Sequence, residues 1–80
     1  MNHVNEFAEL SLRRNSVKTQ MINSRLTNRW MTMQVNSRGV KCDECDLSKA
    51  LNGIREGKKE QNIIAACEAV MSVYRSVFVL

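Results

Sequence analysis

DLSKALNG, residues 46–53, is the stretch of this 80-residue chain that indicates its fold. Leu47, Ala50 and Leu51 recur at the spacing of one helix face. The closing Asn-Gly pair is typical of a helix end, because glycine accepts the left-handed conformation that often follows the last turn. Asp43 is of the residue type that caps a helix N-terminus. The pattern therefore predicts a short helix from about residue 43 to residue 52.

A second short helix is predicted just before it. TNRWMTMQV, residues 27–35, begins with Thr27, which is suited to cap a helix, and continues with the apolar side chains of Trp30 and Met31. Gly39 then supplies a residue that tolerates positive φ, as a tight turn requires. The two helices are thus expected to be joined by a turn.

The first helix of the core is expected to begin near Ser16, a candidate N-cap. Val17, Met21, Ile22 and Leu26 follow at a spacing that forms one broad apolar face. The residues before Ser16 are expected to form an arm or a short separate helix, in which Val4, Phe7 and Leu10 are the apolar positions.

The strongest helical periodicity lies between residues 58 and 74. The apolar residues that carry it are Ile63, Ile64, Cys67, Val70, Met71 and Tyr74. The final run, 77–80, is apolar, and its periodicity alone does not assign it to helix or strand. We therefore divide the chain into an N-terminal arm or short helix at 1–15, a domain at 16–72, and an apolar C-terminal tail at 73–80 that is a candidate dimerisation segment.

Composition favours one small helical domain. The chain is 44% hydrophobic and contains no proline, and its net charge of +4 favours a polyanionic partner. No run approaches the roughly 18 apolar residues of a membrane span, and the first residues lack the pattern of a secretory signal. Three cysteines agree with a reducing compartment. A cytoplasmic protein without a membrane partner is the expectation.

No pattern typical of an enzyme is present. The sequence has no Ser/His/Asp set, no glycine-rich phosphate loop and no carboxylate pair backed by a histidine, so neither catalysis nor a cofactor is expected. Cys42 and Cys45 form a C-x-x-C, but zinc needs two further ligands, and Cys67 and His3 lack a paired spacing. No metal site is predicted. A redox switch at the C-x-x-C is kept as a third functional hypothesis.

LSKALNG, followed by a basic loop and an amphipathic helix, resembles the lambda repressor/Cro type of helix-turn-helix domain found in phage and plasmid regulators. The resemblance covers roughly residues 16–71. It implies an all-α, compact fold of four or five helices in which helix 43–52 enters the major groove. The implied function is that of a sequence-specific regulator of transcription, such as a repressor, of phage or mobile-element type, which binds double-stranded DNA.

The resemblance also implies two sets of DNA contacts. The residues that would read base edges are Glu44, Cys45, Ser48 and Lys49. The residues that would hold phosphates are Asn28, Arg38, Lys41, Asn52, Arg55, Lys58 and Lys59. Because a domain of this size covers only a short half-site, the resemblance further implies a homodimer on a near-palindrome, with residues 73–80 as its interface.

The start of the predicted recognition helix departs from this pattern. Asp43, Glu44 and Asp46 place three carboxylates where DNA phosphates would approach. Helix capping explains part of this acidity, and Glu44 could accept a hydrogen bond from a cytosine amino group. The alternative is a regulator on the same fold that binds a host or phage protein, as an antirepressor, corepressor or inhibitor. It would use this acidic edge or the patch around Trp30.

Overall fold

The computed structural model describes residues 3–78, with side chains from Glu9 onward. This part of the chain contains four helices and no strand. The helices are α1 (His3–Asn23), α2 (Asn28–Ser37), α3 (Glu44–Leu51) and α4 (Lys58–Phe78). α4 packs against each of the other three helices, and α3 also contacts both α1 and α2. The predicted all-α class is confirmed, with four helices in the described residues.

One core joins the four helices because each contributes an apolar stripe. Its fully buried side chains are Val17, Met31, Val35, Leu47, Ile63, Ile64, Cys67 and Met71. Leu47 and Leu51 fasten α3 to this core, as their spacing predicts. Two residues assigned to apolar faces lie instead at the surface, since Ile22 and Met33 are 72% and 63% exposed. Ile22 lies about 100° around α1 from the buried Met21, and Met33 lies about 160° around α2 from the buried Met31.

α1 is a single helix, so the expected start of a core helix at Ser16 is wrong: Ser16 lies inside α1. Two basic residues just before Ser16 make tertiary contacts. Arg13 Nη2 lies 2.6 Å from Glu68 Oε1 on α4, and Arg14 Nη2 lies 3.1 Å from Glu56 Oε1 in the loop before α4. Both arginines make these ion pairs from the continuous α1. The side chains of Val4 and Phe7 lie outside the described residues.

The start of the apolar C-terminal tail, which periodicity leaves unassigned, is helical, because α4 continues through Phe78. Tyr74 packs edge-on against Trp30 of α2, with ring centroids 5.7 Å apart, and Phe78 lies 4.9 Å from Tyr74. This aromatic contact gives the last turns of α4 a partner within the fold. The last two positions, 79–80, lie outside the described residues.

Gly53 ends α3 under two constraints. Its φ is +69°, and a Cβ there would lie 2.6 Å from Nη2 of Arg14. The guanidinium of Arg14 thus rests directly on the Gly53 backbone while it pairs with Glu56. Gly39, after α2, has a φ of +89° but open space where a Cβ would stand. Both glycines therefore adopt a positive φ, but only at Gly53 would a Cβ also clash with a neighbouring side chain.

This difference gives a paired prediction. Gly39→Ala should lower the free energy of unfolding by about 1 kcal/mol through left-handed backbone strain alone. Gly53→Ala should cost roughly 2 kcal/mol, because the new methyl group also displaces Arg14. Urea denaturation measures both losses. In an Arg14→Ala background the two losses of stability should become equal, because the side chain that clashes is gone. Equal losses in the wild-type background would contradict the contact between Arg14 and Gly53.

Candidate nucleic-acid interface

Two of the three carboxylates at the start of α3 form its N-terminal cap. The Asp46 amide donates to Asp43 Oδ1 at 2.7 Å, and the Asp43 amide donates to Asp46 Oδ2 at 3.2 Å, which together form a capping box. The hydrogen bond from the Asp43 amide, followed by that from Lys59, lowers the pKa of Asp46. Of the three carboxylates, Glu44 alone has no role in the cap.

The connection between α2 and α3 is held by a side chain. The carboxamide of Asn36 accepts from the Cys42 amide at 3.1 Å and donates to the Cys42 carbonyl at 2.9 Å. At the other end of α2, Thr27 Oγ1 accepts from the Trp30 amide at 3.0 Å, which confirms the predicted N-cap. Side-chain hydrogen bonds therefore fix the start of α2 and its connection to α3.

The four predicted base-contacting residues lie on the side of α3 away from its buried stripe. Glu44 and Cys45 are exposed, while Ser48 and Lys49 are half-buried. Asn52 follows them and donates to the Ser48 carbonyl at 2.9 Å. These positions form what we call the α3 outer face, defined by Glu44, Cys45, Ser48, Lys49 and Asn52.

Lysines from two other helices border the α3 outer face. On one side, Lys18 Nζ of α1 donates to Asn52 Oδ1 at 2.9 Å. On the other, Lys59 Nζ of α4 lies 3.2 Å from Asp46 Oδ2. Lys59 belongs to the predicted set, whereas Lys18 does not. Lys18 lies within the helix predicted to begin near Ser16, but no local signal in the sequence places it beside Asn52, which follows 34 positions later.

The predicted phosphate-contacting residues fall into three groups. Asn28 and Asn52 line a small cleft of about 200 Å³ together with Lys18. Arg55 and Lys58 are exposed at the start of α4 and in the loop before it. The third group lies in a separate groove between the α2–α3 connection and α4, and it consists of Arg38, Lys41 and Lys59. Only part of the predicted set therefore borders α3.

The C-x-x-C does not have the electrostatics of a redox pair. Burial, followed by the charges of Asp46 and Asp43, raises the pKa of the Cys42 thiol, whereas redox-active cysteines have a lowered pKa. Cys67 is the buried core residue that the sequence predicts, and burial raises its pKa to about 12. Within the described residues, no three His, Cys, Asp or Glu side chains are grouped to hold a metal ion.

The chain matches no protein-family model, no curated protein and no solved structure. Across residues 3–78, no helix combines the length and the apolar character needed to cross a membrane.

Proposed function

We propose that the protein is a sequence-specific, double-stranded DNA-binding regulator of transcription, of phage or mobile-element type. α2 and α3 would act as a helix-turn-helix of the lambda repressor kind, and α3 would enter the major groove. The observation that carries this proposal is the position of the α3 outer face between Lys18 of α1 and Lys59 of α4. A helix bordered by cations on both sides suits a groove bordered by phosphates on both sides.

The size of α3 agrees with this role. It is eight residues long, and an α-helix with its side chains is about 10–12 Å across, which fits a major groove about 12 Å wide. The residues we assign to base edges are Glu44, Cys45, Ser48 and Lys49. The residues we assign to phosphates are Lys18, Asn28, Asn52, Arg55, Lys58 and Lys59. Lys18 is added to this set, and Arg38 and Lys41 are left out because they line the separate groove. Lys59 also lines that groove but is kept, because it pairs with Asp46 of α3.

The carboxylates near α3 are compatible with DNA. Asp43 and Asp46 form the capping box, and Lys59 pairs with Asp46. Glu44 is thus the carboxylate left to face the DNA, where a cytosine amino group is a suitable donor for it. This arrangement predicts a preference for cytosine opposite Glu44.

The test is the affinity for a random-sequence duplex at about 50 mM and about 200 mM salt. A DNA-binding protein of this design should bind at low salt and lose affinity steeply at the higher concentration, because phosphate contacts release condensed counterions. No binding at low salt would overturn the proposal. It would favour the alternative regulator, which binds a protein partner rather than DNA.

We further propose that the protein acts as a homodimer through the end of α4. Val73, Val77 and Phe78 are 55%, 59% and 70% exposed, and Phe78 continues the aromatic contact of Tyr74 with Trp30. Apolar surface of this kind is stabilised when a second subunit covers it. A two-fold dimer would place one α3 on each half of a near-palindrome.

Phe78→Glu should therefore convert a dimer into a monomer, since it places a charge within the contact. Sedimentation equilibrium measures the mass of the particle in solution. Ile22→Glu is the matched control, because Ile22 is equally exposed but lies on α1. A monomeric wild type, or a dimer that survives Phe78→Glu, would rule out this interface.

A further inference from the structure

A groove separate from the α3 outer face runs between the α2–α3 connection and α4. It has a volume of about 940 Å³. The connection contributes residues 38–41, and α4 contributes one side of three successive turns. The α4 residues that line it are Lys59, Asn62, Ala65, Ala66 and Ala69. From Lys59 to Ala69 the groove follows α4 for about 15 Å, the length of a short helix.

The floor of the groove is apolar and shallow. Ala65, Ala66 and Ala69 stand at the spacing of one helix face, and Val40 borders them from the connection. Ala65 is exposed and Ala69 is half-buried, so neither is covered by the rest of the fold. Methyl-sized side chains allow a second helix to pack at the short interaxial distances of roughly 8–10 Å seen between packed helices.

The rim of the groove is basic. Its charged residues are Arg38, Lys41 and Lys59, and no carboxylate among the described side chains, 9–78, lines it. Lys59 pairs with Asp46 at 3.2 Å, whereas the ion pairs within residues 9–78 do not include Arg38 or Lys41. The groove thus combines an aliphatic floor with an excess of positive charge.

These features identify the chemistry of the occupant. A single-stranded nucleic acid would be a poor match for the floor, since none of the described residues that line it is aromatic and could stack on bases. The α4 of a second copy would bring Lys58, Lys59 and Arg75 to a rim that is already basic. The α4 carboxylates are engaged, because Glu60 accepts from the Gly57 amide at 2.9 Å and Glu68 pairs with Arg13.

We propose that this groove binds an acidic amphipathic helix of a partner protein. The apolar stripe of that helix would pack on Ala65 and Ala69, and carboxylates beside the stripe would pair with Arg38 and Lys41. Recognition of a helix in a groove, with complementary charge at its edges, is an established mode of peptide binding. The groove would let the protein engage a partner while the α3 outer face remains open.

The first test uses a fluorescent peptide of four helical turns. The peptide carries leucine and alanine at i, i+3, i+4 and i+7, with glutamate at the flanking positions. Its matched control keeps the apolar residues and replaces every glutamate by lysine. The acidic peptide should bind at least tenfold more tightly than the basic one, by fluorescence anisotropy, and should shift the amide resonances of residues 38–41 and 62–69. Equal affinities, or amide shifts elsewhere, would overturn the proposal.

The second test uses variants of the protein. Arg38→Glu/Lys41→Glu should lower the affinity for the acidic peptide at least tenfold. Arg25→Glu/Arg75→Glu is the control, because it makes the same change in net charge outside the groove, and it should leave the affinity within twofold. Ala65→Trp fills the floor without altering charge and should also weaken binding, which keeps the test decisive if the double variant does not fold. Unchanged affinity in Ala65→Trp would contradict the groove. This assay contains no DNA, so its failure leaves the DNA proposal standing.

Discussion

Leu47→Ala is expected to lower the free energy of unfolding by about 3 kcal/mol, which makes it the largest stability effect we predict. Leu47 is fully buried, and it joins α3 to the core shared with α4. Truncation removes apolar contacts and leaves a cavity that neighbouring helices fill only in part. A domain of 80 residues is stable by roughly 4–12 kcal/mol, so this loss is a large share of the total.

Thermal and urea denaturation both measure this effect. The melting temperature should fall by roughly 12–24 °C, the shift that about 3 kcal/mol gives in a domain of this size. Val73→Ala is the matched control, since Val73 is 55% exposed and its truncation should cost less than about 0.5 kcal/mol. A loss below about 1 kcal/mol for Leu47→Ala would mean that α3 is not seated on the core as described.

The second large effect concerns DNA. Lys18→Glu/Lys49→Glu should lower the affinity for duplex DNA by roughly two orders of magnitude at low salt, and should reduce the slope of log affinity against log salt by roughly 1, because Lys18 is the phosphate contact of the two. Lys18 borders the α3 outer face and Lys49 lies on it. The fold should persist, because Lys18 makes an exposed hydrogen bond and Lys49 is a surface residue of the last turn of α3.

Arg25→Glu/Arg75→Glu separates a local effect from an effect of net charge. It changes the net charge by the same amount, but Arg25 lies in the turn after α1 and Arg75 lies near the end of α4. The control should therefore lose much less affinity. Equal losses in the two double variants would show that the α3 outer face is not the contact surface.

The sequence alone predicts the features of the fold that depend on a few neighbouring residues. Thr27 and Asp43 cap helices as their residue types predict, and Leu47, Ala50 and Leu51 form the buried stripe of α3. The outward positions of α3 follow directly from that stripe. Caps and apolar periodicity act within a few residues, so one sequence is enough to read them.

Contacts between distant residues could not be predicted in this way. Arg13 and Arg14 look like an exposed basic patch until Glu68 and Glu56 are brought beside them by tertiary packing. The same packing makes α1 continuous and carries Lys18 to Asn52, which lies 34 positions later in the sequence. In the sequence, Arg38 and Lys41 flank the turn before α3. The fold places them in the groove beside α4.

Mapping of a short random-sequence duplex onto the protein by amide chemical shifts tests the central claim most directly. The account predicts that the largest changes fall on Cys45, Ser48, Lys49 and Asn52, with further changes at Lys18 and at the start of α4. These changes should diminish as salt is raised. Changes confined to residues 38–41 and 62–69, or no changes at low salt, would contradict the assignment of α3 as the DNA-binding helix.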